Sequence, residues 1–204
     1  MEDPLNIIVT GVGGQGNIQA SYIIASAAVR EGFYVSVGET YGAAQRGGSV
    51  TSHIRISMEM QYGPLIPRGK AHIIVGFEPV ECLRTIGDFG NKKSMVIINP
   101  RPIYPIDVLS GEATYPSIDN ILNVIKELVQ GVYVVEATEL AKKAGDAILQ
   151  NVVMVGCLSA SGFIPLRVET FKATIAELFA EKSLSLNLKA FEIGVEEFKR
   201  VKPL

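Results

Sequence analysis

Four short runs constrain this chain more than anything else in it: "NIIVT" at 6–10, "HIIVGF" at 72–77, "SMVIIN" at 94–99 and "VYVVEA" at 132–137. Each is dominated by β-branched apolar residues and is bounded by glycine, proline or polar residues. Runs of this kind are strands covered on both faces, as in a parallel sheet with helices on either side. Two further strands are expected, at 33–37 and at 50–56. In the second of these, Val50, Ser52, Ile54 and Ile56 alternate with Thr51, His53 and Arg55, which marks one polar face.

Helical patterns fill the intervals. Around 19–32, "QASYIIASAAVREG", the preceding Ile18 and the residues Tyr22, Ile23, Ala25 and Val29 fall at helical spacing and Gly32 supplies a stop. Residues 78–86 read as a short helix with Pro79 in its first turn, and 117–129 as a helix with Ser117 at its N-cap. "PRPIYP" at 100–105 can continue neither ladder nor helix. From Thr138 the pattern is helical, over 138–144, 146–161, 168–181 and 188–200. The expected fold class is therefore α/β: a mainly parallel, Rossmann-like sheet flanked by helices, with a helical C-terminal third. Residues 1–204 are expected to form one domain, with a sheet core over 1–136 and a helical extension over 137–204.

The formal net charge of −2 gives no reason to expect nucleic-acid binding. The longest apolar-looking stretch, 147–166, is interrupted by Gln150, Asn151, Ser159, Ser161, Gly162 and Pro165, so it reads as a core helix and no membrane association is expected. The N-terminus is acidic and runs directly into a strand, unlike a signal peptide, and a cytoplasmic location is expected. Cys82 and Cys157 stand 75 positions apart with no CxxC, so neither a disulfide framework nor a metal site is expected.

Two glycine-rich segments carry the candidate site. "GVGGQG" sets Gly11, Gly13 and Gly16 in a GxGxxG pattern between a strand and a helix, with Gly14 and Gln15 inside it. Such a loop permits a tight turn and offers helix N–H groups to an anion. Glu39 lies 23 residues past Gly16, close to the roughly 20 expected of a ribose-binding acid. From these residues alone, NAD binding, a purely structural turn, and another ligand or an interface all remain open. No dehydrogenase constellation of His, Lys or Tyr accompanies the motif. The second segment, "YGAAQRGGSV", holds Gln45, Arg46, Gly47, Gly48 and Ser49: one fixed cation, two glycines able to present backbone N–H groups, and neutral donors. It is either a turn between strands, with Arg46 paired to Glu39, or a loop that grips a ligand or partner. Glu78-Pro79 sits where open parallel sheets present functional groups, although an acid there also suits a helix N-terminus.

Together, "NIIVTGVGGQGNIQAS", "ETYGAAQRGGSVTSHIRIS", "PLIPRGKAHIIVGFEPVECLR" and "NVVMVGCLSASGFIPL", with the weaker "NLKAFEIGVE", resemble the gamma-type components of 2-oxoacid:ferredoxin oxidoreductases, in particular the indolepyruvate-oxidising branch. The segments come in family order over nearly the whole chain; 100–131 is least distinctive. One departure is His72, where the family usually has an acid. The resemblance implies an accessory subunit of an enzyme that oxidatively decarboxylates arylpyruvates, with coenzyme A taking the acyl group and ferredoxin the electrons. It further implies that thiamine diphosphate, Mg and iron–sulfur clusters reside in a larger partner subunit, because two separated cysteines cannot supply four cluster ligands. No catalytic or metal-binding residue is then expected in this chain. Whether the isolated chain forms a homo-oligomer is left open, and the runner-up is a free-standing NAD(P)-binding oxidoreductase or nucleotide-sensing module.

Overall fold

A computed structural model of the chain describes residues 2–42 and 48–204; Ala43, Ala44, Gln45, Arg46 and Gly47 lie outside the described residues. The apolar runs become strands β1 (Leu5–Val12), β4 (Ile73–Gly76), β5 (Met95–Ile98) and β6 (Gly131–Val134), joined by β2 (Tyr34–Tyr41) and β3 (Ser49–Ser57). The six strands order β2-β3-β1-β4-β5-β6. β1, β4, β5 and β6 run parallel, whereas β3 is antiparallel to both neighbours, so five strands share one direction.

Alternate residues of the central strands feed two separate cores, as the period of two requires. Ile7, Val9, Ile73, Val75 and Ile97 join α1 (Asn17–Arg30), α6 (Gln150–Ala160) and α8 (Glu181–Phe198) on one face. Ile8, Ile74, Val96 and Ile98 meet α2 (Pro79–Phe89) and α4 (Ile118–Leu128) on the other. Between these elements lie a short α3 (Ile106–Leu109), α5 (Ala137–Ala144), a 3-10 turn (Ala147–Leu149) and α7 (Val168–Leu178). Ser117 caps α4 by accepting from Asn120 N at 3.3 Å, as its sequence position suggests.

Several boundaries differ from the sequence reading. β2 runs on past Gly38 to Tyr41, because eight consecutive pairings with β3, from Tyr34↔Ser57 to Tyr41↔Val50, hold it extended. α8 begins at Glu181, seven residues earlier than expected, and α7 stops at Leu178. α3 carries no strong periodic signal and none of its residues is buried.

α6 forms the floor of the larger core, with every residue from Asn151 to Ser159 buried. It crosses α8 at a pair of glycines. A Cβ on Gly156 would lie 2.2 Å from Phe191 O, and one on Gly194 would lie 2.0 Å from Val153 O. The two helix backbones therefore approach more closely than any side chain would permit. Among the described residues no helix is long and apolar enough to cross a membrane.

Candidate functional site

The glycine motif turns β1 into α1. Gly14 and Gly16 have φ of 101° and 83°, the left-handed region that favours glycine, and Gly16 is the N-cap of α1. Gln15 points inward rather than out. Its Oε1 accepts from Val12 N at 2.9 Å and its Nε2 donates to Phe77 O at 2.9 Å, with the residue 3% exposed. This bond ties β1 to the end of β4, at the point where the sheet order reverses and doubly wound folds usually take a ligand. The side chain of Gln15 thus sits between the two strand ends, in that crevice. Gly11 makes room for it, since a Cβ there would meet Gln15 Oε1 at 2.6 Å and Phe77 Cβ at 2.9 Å.

The two glycine segments, far apart in their apparent roles, are neighbours. Gly13 N donates to Gly48 O at 2.8 Å, and Gly42 N donates to Ser49 O at 2.8 Å. Gly48, on one flank of the "AAQRG" segment, therefore lies beside the glycine turn, and Gly42, on the other, is held to Ser49. Gln45, Arg46 and Gly47 themselves are outside the described residues.

Glu39 occupies a different place from a ribose-binding acid. In the Rossmann order the strand after the first helix lies next to β1. Here β3 is inserted between β1 and β2, which displaces Glu39 outward by one strand, about 4.8 Å. Its carboxylate accepts from Tyr41 OH and, at 3.5 Å, from Ser21 Oγ. The bond from Tyr41 to Glu39 raises the phenol's pKa.

Gly13, Gly14, Gly16 and Glu39 line one end of a groove of about 1310 Å³ between α1, β2 and α7. Its walls are apolar: Ile18, Tyr22 and Val29 of α1, Val37 and Tyr41 of β2, and Leu178 of α7. Tyr22, Val29 and Tyr41 are about 60% exposed, at 59%, 59% and 61%. Three of the residues that mark α1 as helical from its sequence thus face solvent, while Ala20, Ile23, Ile24, Ala27 and Ala28 are its buried side. The sequence signal for this was available: α1 is apolar on nearly all sides, the mark of a helix covered all round.

A second cavity of about 350 Å³ lies beyond Ser49 and Val12, against α2. Glu78 is 2% exposed and caps α2, accepting from Glu81 N at 2.8 Å, from Ile103 N at 3.4 Å and from Tyr115 OH. Burial, reinforced by the Glu78 carboxylate, pushes the Tyr115 phenol far above its ordinary value. Burial also raises the Glu81 carboxyl, against the opposing pull of Arg84 at 2.9 Å. This arrangement latches the 101–116 connection to the sheet through Glu78. His72 takes the N–H of Asn6 on its Nδ1 at 2.9 Å and turns Nε2 to Glu2, so an imidazole supplies the acceptor that an acid would give.

The cysteines offer no donor set for a cluster. Both are free and buried, and burial drives both thiols well above their usual pKa, away from the thiolate a metal needs. Among the described residues, His, Cys, Asp and Glu form no group of three able to hold a metal ion.

The family model for pyruvate ferredoxin/flavodoxin oxidoreductase matches residues 6–197. The chain is 44% identical over 193 residues to the indolepyruvate oxidoreductase subunit IorB of Archaeoglobus fulgidus, covering 95% of this chain and 94% of that one. It is 41% identical over 197 residues to the subunit of the same name in Thermococcus kodakarensis, covering 96% of each. The fold also occurs in the 2-oxoglutarate:ferredoxin oxidoreductase from Magnetococcus marinus, with a TM-score of 0.75 and 24% identity. The match covers all of this chain but 32% of that one, so there the fold is one part of a longer polypeptide.

Proposed function

The chain belongs to the pyruvate ferredoxin/flavodoxin oxidoreductase family, and from that premise we propose that it is the accessory subunit of an arylpyruvate-oxidising enzyme, with indolepyruvate as the type substrate. The observation that carries this reading is the end-to-end match, above 40% identity, to two subunits of its own length. In this reading the larger subunit holds thiamine diphosphate, Mg and the iron–sulfur clusters, coenzyme A accepts the acyl group, and ferredoxin meets the assembled complex. Those groups supply decarboxylation and electron transfer when bound to the partner. This chain's residues shape and attach.

The whole of 1–204 acts as one domain here, supported by the core that residues of β1, α1, α6 and α8 share. Two buried free thiols suit a reducing cytoplasm. Within the site, Gly48 and Ser49, pinned beside the glycine turn, are assigned the mouth of a contact loop. Arg46, between Gly42 and Gly48 in sequence, is assigned its fixed cation, directed at an anionic group of the partner or of coenzyme A. Gly11, Gly13, Gly14, Gln15 and Gly16 are assigned the base that holds this loop in place. An NAD-dependent role is disfavoured by the Gln15 side chain in the crevice and by the outward displacement of Glu39.

The test is co-production with a larger thiamine-dependent, cysteine-rich chain. The two are expected to purify as a stoichiometric complex that reduces ferredoxin when given indolepyruvate and coenzyme A, while this chain alone gives no turnover. Arg46→Ala is expected to leave the isolated chain's melting temperature unchanged and to lower complex formation or ferredoxin reduction at least tenfold. Saturable NADH binding together with independent turnover by the isolated chain would overturn the reading.

A further inference from the structure

The sheet has two edges, β6 and β2, and they differ. At β6 the C-terminal tail comes back along the strand, with Leu204 N donating to Val132 O at 3.0 Å. At β2, among the described residues, the outer edge pairs with no strand over its eight residues and carries no proline, lysine, arginine or bulge, with Glu39 as its charged residue.

The pairing pattern identifies which backbone groups are free. Gly42 N donates to Ser49 O, so by the alternation of an antiparallel ladder the even-numbered residues of β2 bond to β3. The N–H and C=O groups of Val35, Val37, Glu39 and Tyr41 then point away from the sheet. Within the chain, Gln61 Nε2 reaches Val35 O at 3.4 Å.

Apolar surface flanks this edge on both faces. On the α1 side stand Tyr22, Val29 and Val37, and on the opposite side Tyr34 and Leu65, the latter packed over Gly38. A strand laid beside β2 would extend the sheet and drop alternate side chains into the α1 groove and against Tyr34 and Leu65. Its length would match β2, about 27 Å for eight residues.

We propose that the β2 edge and the α1 groove receive an extended, doubly apolar segment of the larger subunit, which completes the sheet as a seventh strand. This rests on the subunit reading above. In the Magnetococcus structure the fold is part of a longer chain, whereas the IorB relatives that match this chain over 94% or more of their length are subunits, joined to their complexes by contact. A second copy of the chain fits the edge poorly. Antiparallel self-pairing must set odd residues against odd ones. A two-fold at Val37 or at Gly38 places each Glu39 carboxylate opposite Val35 or Val37, and a two-fold at Glu39 places the two acids against each other. A foreign strand can bring a basic residue to that position instead.

The experiment compares amide hydrogen exchange of the isolated chain and of the co-purified complex, peptide by peptide over 34–41. The amides of Val37, Glu39 and Tyr41 are expected to slow at least 100-fold in the complex. Val37→Pro, which removes an outward N–H that the isolated chain does not use, is expected to keep the parent melting temperature and weaken assembly at least tenfold. Val37→Lys, a charged edge residue, is expected to do the same and stands in should the proline variant misfold. If the complex forms but the edge exchanges as fast as before, or both variants assemble normally, this proposal falls and the subunit reading survives. If protection rises with concentration of the isolated chain, the occupant is a second copy and the proposal also falls. If no complex forms with the wild-type chain, both fail.

Discussion

α6 and α1 are similar helices with different fates. Both are rich in small and apolar residues and both pack on the same face of the sheet. α6 is enclosed on all sides, and its glycine crossing with α8 leaves no gap for even a methyl group. α1 buries Ile23, Ile24, Ala27 and Ala28 but leaves Ile18, Tyr22 and Val29 facing a groove. The same composition therefore serves self-assembly in one helix and leaves a surface in the other. What separates them is position: α6 sits between β5, α1 and α8, while α1 lies over β2 and β3 at the sheet's open margin.

The sharpest way to break this contrast is Gly194→Ala. The added Cβ would meet Val153 O at 2.0 Å, and a backbone carbonyl in a packed helix cannot swing aside as a side chain can. Overpacking usually costs about 1–3 kcal/mol, and a clash with backbone belongs at or above the top of that range. For a chain of this size about 3 kcal/mol lowers the melting temperature by roughly 6–12 °C. Thermal unfolding followed by circular dichroism checks it, and an unchanged melting temperature would show that the α6–α8 crossing is looser than its geometry indicates.

A second prediction concerns Cys157 in the same crossing, whose Sγ meets Gly194 O at 3.3 Å. Burial raises its thiol pKa above the ordinary 9.0, and burial does the same for Cys82. The folded state then keeps protons that the unfolded state releases once the pH passes about 9, so stability is fully present below that value and declines above it. Each withheld proton contributes a slope of about 1.4 kcal/mol per pH unit. Denaturant titrations from pH 8 to 10.5 are expected to show this loss, and Cys157→Ala to make it shallower. An equal slope in the variant would place the alkaline loss elsewhere, with the buried Cys82 and the half-buried Tyr115 the other acids whose pKa burial raises.

Much of this was legible beforehand, and the gaps have physical causes. The buried runs gave β1, β4, β5 and β6 because strands covered on both faces leave an unmixed apolar signature. Ser117 announced the start of α4 because capping is a local interaction. The expected strand at 33–37 was too short at its end, since Gly38 and the polar residues after it carry little strand signal alone and are held extended by the ladder to β3. The insertion of β3 between β1 and β2 was invisible, as topology is a long-range property that local periodicity does not encode. The inward turn of Gln15 was invisible for the same reason: its partner Phe77 lies 62 residues away. In α1 the same periodic residues that announced the helix were mostly the ones it leaves exposed. Helical spacing identifies a face without saying what will cover it.

The smallest effect is expected on that exposed face, at Val29→Ser. Val29 is 59% exposed on the wall of the groove, in the last turn of α1. Replacing it removes an apolar side chain that the isolated chain scarcely buries, and valine and serine have similar helix propensities. A change within about 0.5 kcal/mol is expected, as for ordinary surface positions. Paired with Gly194→Ala in one set of melts, it measures how unequally two apolar helices contribute to the isolated fold. A loss at Val29 comparable to that at Gly194 would mean the groove is closed within this chain, and α1 would have no surface to offer.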